Sequence, residues 1–126
     1  MVDALTRLHA ALASGGVLVD TQPISLRLPV SLGGEPIGEL EDDEWLEIVA
    51  AVDAELEKVL AAGLFELRHE ESYTVVHEFG SGRECLDVVA GWVGTTVPED
   101  VAARLERGNA RVTVEQETRL RLLDRR

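Results

Sequence analysis

The hydrophobic period of this chain changes at Gly63. From Asp42 to Ala62 the apolar residues Trp45, Ile48, Val49, Val52, Leu56, Val59 and Leu60 recur at helical spacing. From Leu64 to Phe79 the spacing becomes two, with Phe65, Leu67, Tyr73, Val75, His77 and Phe79 all at odd positions. A long amphipathic helix followed at once by a long strand calls for helices packed on a sheet. Asp42, Asp43 and Glu44 lie where the helix dipole favours negative charge, and Gly63 is a natural stop. No Gly, Pro or Asn marks a turn at Glu70-Glu71-Ser72, so the second run reads as one strand rather than a hairpin.

The flanking segments extend the same pattern. Asp3 is the expected cap of a first helix carrying Leu5, Leu8 and Leu12, which Ser14-Gly15-Gly16 ends. Val17-Leu18-Val19 then reads as a short buried strand leading into Asp20-Thr21-Gln22-Pro23. Ile24, Leu26, Leu28 and Val30 alternate, and Gly33-Gly34 joins that strand to a second arm reaching Glu41. Ser81 with Glu84 forms a capping box for a helix carrying Leu86, Val89 and Val93. Thr96 with Glu99 repeats it, with Pro98 early and Gly108 as the stop after about Arg107. Val112, Val114, Gln116, Thr118, Leu120 and Leu122 alternate with charged or polar residues, predicting a late strand with one buried face. The reading is one domain over residues 1–126: an α/β fold with a mixed sheet of about three to five strands and helices packed on it.

Charge narrows the function. The 24 acidic and 12 basic side chains leave a formal net charge of −12, which disfavours nucleic acid and acidic membrane surfaces as partners. No apolar run has the roughly 20 residues of a membrane span, and Arg7 and His9 break the N-terminal apolar stretch too early for a signal peptide. The single cysteine, Cys85, excludes an internal disulfide and a cysteine zinc cluster, and a cytoplasmic location is expected. Cys85 itself reads as a small buried helix residue rather than a nucleophile. The charge is also polarised. Glu35–Glu57 carries ten acids and no base, while Ala102–Arg126 carries seven arginines against four acids. The acidic helix and the arginine-rich strand can therefore neutralise each other within or between subunits.

Few residues suggest chemistry. His69, Glu71, Tyr73 and His77 share a strand face, but His69 and His77 lie about 26 Å apart at strand rise, too far for one metal ion. No Gly-x-Ser-x-Gly element is present, and Ser14-Gly15-Gly16 and Gly80-Ser81-Gly82 read as helix boundaries rather than phosphate cradles. Neither a metal nor a cofactor is expected.

The segment Leu12-Ala13-Ser14-Gly15-Gly16-Val17-Leu18-Val19-Asp20, then a long helix, Gly63-Leu64-Phe65-Glu66 and a late strand resembles the C-terminal part of class I S-adenosylmethionine-dependent methyltransferases. In that family a Leu-x-x-Gly-Gly turn feeds the fifth strand, a helix leads to the sixth, and a reversed seventh strand inserts between them. The resemblance implies that Val112–Leu122 is the reversed strand, and that the Ile24–Glu41 hairpin and the helices between Ser81 and Arg107 are elaborations. It implies a chain starting beyond the Gly-rich turn and the ribose-binding acid, so no cofactor-binding residue is inherited. Asp20, Thr21 and Gln22 would then lie at the crevice end of the fifth strand.

The catalytic candidates are Asp20, Gln22, Tyr73 and His77. The preferred reading is a non-catalytic methyltransferase-like half-domain, an interaction or accessory module. A bare fifth-strand edge makes a homodimer the expected assembly, with a separate protein partner as another possibility. Two alternatives stay open: a small-molecule binder or enzyme with a pocket built from Asp20, Gln22, Trp45, Tyr73, His77 and Trp92, or a subunit that a partner chain completes as a methyltransferase.

Overall fold

A computed structural model describes residues 2–126, with side chains from residue 4 onward. The cap expected at Asp3 lies outside the described side chains. Nine elements follow in the order α1 (Val2–Ala11), β1 (Val17–Pro23), β2 (Arg27–Leu32), β3 (Glu35–Glu41), α2 (Asp43–Ala61), β4 (Phe65–Phe79), α3 (Gly82–Val89), α4 (Glu99–Arg107) and β5 (Val112–Arg125). The α/β class and the period change at Gly63 are as expected. The sheet has five strands, within which β5 bonds to β1, β2 and β4, and β3 bonds to β2.

The pairings are antiparallel, whereas a mixed sheet was expected. Val17–Pro23 faces Asp124–Thr118. Arg68 and Glu70 of β4 meet Asp124 and Arg119 in turn, so β4 also runs against β5. β1 occupies one edge of β5 over this stretch and β4 takes the other. The two outer strands are parallel to each other but never adjacent, because β5 returns between them.

The chain divides into two compact units. The first comprises residues 1–23, 47–73 and 118–126. Its core joins Leu5, Leu56, Val59, Phe65 and Leu123, so α1 and the body of α2 cover the far half of β5. The second comprises residues 24–46 and 74–117. There Leu28, Val30 and Leu40 of the β2–β3 hairpin pack with Cys85, Val89, Val101 and Leu105 of α3 and α4, and with Val112 and Val114. Gly33 and Gly34 both adopt positive φ (60° and 87°), as a tight hairpin turn requires. Gly82 allows a closer approach: a Cβ there would stand 1.9 Å from the Leu105 carbonyl oxygen.

Four local expectations need correction. The alternation at Ile24–Val30 starts as a strand only at Arg27. Ile24 still donates to the Glu117 carbonyl (2.9 Å), but the Ser25 hydroxyl accepts from the Glu117 N–H (2.6 Å) and the Leu26 carbonyl from the Asp42 N–H (3.1 Å), which takes Ser25 and Leu26 off the ladder and leaves Leu26 49% exposed. The odd face of β4 is not buried. Only Phe65 and Phe79 are, and Leu67 and Tyr73 are each 42% exposed, because neither core cluster reaches the middle of the strand. Along β5 the buried residues change from even (Val112, Val114, Gln116, Thr118) to odd (Arg121, Leu123), since its two halves serve different cores. Ser81 caps α3 through its Oγ, which accepts from the Glu84 N–H. At α4, however, Pro98 holds the cap position without a side-chain bond, and Thr96 instead bridges Glu41.

Candidate functional site

The densest polar constellation lies in the first unit, on the alternating face of two paired strands. Asp20 and Gln22 of β1 sit directly opposite Arg121 and Arg119 of β5. The Arg121 guanidinium donates to Asp20 Oδ2 through Nε (3.0 Å) and Nη2 (2.8 Å), and Nη2 also reaches Asp53 Oδ1 of α2 (2.8 Å). Arg119 donates to both oxygens of Asp53, through Nη1 (3.2 Å) and Nη2 (2.8 Å). Gln22 Nε2 completes the group by donating to Asp20 Oδ1 (3.1 Å). Two guanidiniums and two carboxylates cancel, as a largely buried cluster requires.

These charges tune one another. Burial pushes the Asp53 carboxyl up, but the bonds and charges of Arg119 and Arg121 outweigh it and hold Asp53 below the ordinary carboxylate range. Burial alone would favour neutral Arg121, yet Asp20 and Asp53 raise its pKa. The acidic helix and the arginine-rich strand therefore neutralise each other within the chain. Arg119, Arg121 and Asp53 were not singled out individually from the sequence. Their only signal was the charge polarity, since each was one among many like charges.

The four sequence candidates fall into different surroundings. Asp20 and Gln22 come together, with their polar groups turned to each other and to Arg121. Thr21 is exposed beside them. Tyr73 lies exposed on β4. His77 belongs to the second unit, where Nε2 meets Gln116 Oε1 (2.9 Å) and the ring lies 4.8 Å from that of Trp92 at 57°. Of the six residues of the alternative pocket, Asp20, Gln22 and Tyr73 belong to the first unit and Trp45, His77 and Trp92 to the second. A cleft of about 230 Å³ in the second unit is lined by Ser25, Arg27, Pro29, Thr74, Glu115, Gln116 and Glu117, none of those six. Several of its polar groups are engaged internally: the Thr74 hydroxyl donates to Glu117, and Arg27 Nη1 pairs with Asp43 at 3.1 Å.

Two buried titratable groups serve structure. Cys85 is fully buried, and burial, then the nearby Glu84 charge, pushes its thiol up to about 11, so it is protonated at neutral pH. Asp42 is 1% exposed and accepts from Thr95 Oγ1 at 2.5 Å. Burial raises its pKa, the Thr95 bond opposes this, and the Asp43 charge adds to it. Among the described residues, no group of three or more His, Cys, Asp or Glu side chains is placed to hold a metal ion, and no helix is long and apolar enough to cross a membrane.

No family model matches the chain, and no curated protein or solved structure matches it either.

Proposed function

We propose that this chain is a non-catalytic, methyltransferase-like half-domain that works as an interaction or accessory module. The observation that carries the reading is the strand arrangement of the first unit. A reversed β5 separates β1 from β4, and α2 lies between those two strands in the chain. This is the order that the resemblance implies for the fifth, seventh and sixth strands, and the β2–β3 hairpin with α3 and α4 then corresponds to the elaborations.

The chain's own residues do not suit the family's cofactor. With β1 taken as the fifth strand, none of the described elements stands where the family's Gly-rich turn or ribose-binding acid would lie, and the Asp20 carboxylate, within β1, is bound by Arg121 rather than open to a ligand. Titration calorimetry of the chain alone with S-adenosylmethionine tests the reading. No heat of binding and no thermal shift are expected, and tight binding would overturn it.

A second reading, completion by a partner chain, is favoured by one feature. Among the described residues β1 is paired along a single edge, the one facing β5. An edge of this kind accepts a further strand. Cofactor binding that appears only on adding such a partner would favour that reading over the first.

A further inference from the structure

We infer that the interaction surface is the outer edge of β4, and that its occupant is β4 of a second copy, in antiparallel register about His69. This rests on the reading of the chain as an interaction module. Three strands lie at the limits of the sheet. β3 is blunted by Pro36 and by Glu35, Glu39 and Glu41, which would repel their own copies. β1 has seven residues, ends in Pro23 and sets Asp20 at its centre. β4 has fifteen residues with no proline, glycine or lysine, and nine in succession, Glu66–Thr74, are exposed. That is a long edge carrying both signs of charge.

The register follows from the charges together with the length of strand they bring into overlap. In a two-fold antiparallel pair one residue faces its own copy, and its neighbours pair symmetrically about it. Within the exposed run, centring on Arg68, Glu70 or Glu71 sets like charges face to face. Centring on Ser72 pairs Glu71 with Tyr73 and Glu70 with Thr74, with no opposite charges matched. Centring on Leu67 also places Glu66 opposite the partner's Arg68 twice, but it overlaps only Phe65–His69 of the strand, and centring on Tyr73 carries the pairing past the exposed run onto the half-buried Val75 and His77 and the buried Phe79. Centring on His69 overlaps Phe65–Tyr73, places Arg68 opposite the partner's Glu70 twice, and sets Glu66 opposite the partner's Ser72. Arg68 holds Asp124 through Nε (3.0 Å) and Nη2 (2.5 Å), which leaves Nη1 for the partner's Glu70.

Sedimentation velocity on the full chain at micromolar concentration tests this, with a dimer expected. Arg68→Glu and Glu70→Arg should each weaken it about tenfold, because two matched pairs become two like-charge pairs. The double variant should recover it. Facing Cα atoms of an antiparallel pair lie about 4.5–5.5 Å apart, within disulfide reach. His69→Cys should therefore close an intermolecular disulfide on oxidation, and Ser72→Cys should not; the native Cys85 is fully buried. This cysteine pair keeps the test decisive where a charge variant fails to fold. A monomer overturns the inference, as does a dimer that ignores both charge reversals or crosslinks through Ser72→Cys in preference to His69→Cys. A monomer that also ignores S-adenosylmethionine sinks this surface alone; a dimer that binds the cofactor sinks the non-catalytic reading and leaves the surface.

Discussion

Asp53 is where two guanidiniums converge, and its protonation state is worth measuring. Asp53→Asn removes the charge that Arg119 and Arg121 share and leaves both cations partly buried with weaker partners. We expect a loss of about 2–3 kcal/mol at neutral pH by urea unfolding. The folded-state pKa of Asp53 lies below its unfolded value of about 3.9. Its contribution is therefore complete above that unfolded value and disappears as pH falls through the folded one. The gap between wild type and Asp53→Asn should accordingly narrow below about pH 4. None of this was legible residue by residue. Glu39–Glu57 contains nine acids and no base, and nothing local says which of them turns toward β5. Asp20 and Gln22 were legible as neighbours on one strand face because their spacing is two.

At the scale of elements, the local signals mostly held. The helix expected over 42–62 forms as Asp43–Ala61, the run from Leu64 to Phe79 is one strand, and Gly33-Gly34 makes the hairpin. Periodicity and stop residues act within a few positions, so they survive any tertiary arrangement. The Thr96 cap, the strand start at Ile24 and the buried face of β4 did not hold, because each depended on which group came to lie beside it. The α3–α4 contact depends on Gly82 in the same way. Gly82→Ala would drive a Cβ into the Leu105 backbone, at 1.9 Å from its oxygen. We expect a loss of about 3 kcal/mol, read as a lower Tm by circular dichroism. Gly91→Ala is the control, since its Cβ would meet only the Val88 oxygen at an ordinary 3.5 Å.

For the whole molecule, the net charge of −12 sets what the chain meets in solution. A labelled duplex or single strand should show no mobility shift with it at physiological salt, and retention of either would contradict the charge argument. The charge total does not describe its distribution, however. Asp20 and Arg121 are 101 residues apart in the chain, and Asp53 and Arg121 are 68 apart, yet they share one cluster. The amino-acid sequence alone determined which segments are helix and which strand, where most of them stop, and that acid and base are segregated, because those properties reside in neighbouring residues. Only the tertiary structure decided which acid meets which arginine and that, among the described residues, the outer edge of β4 stays open. Those outcomes depend on groups far apart in the chain, whose meeting is set by core packing rather than by local pattern.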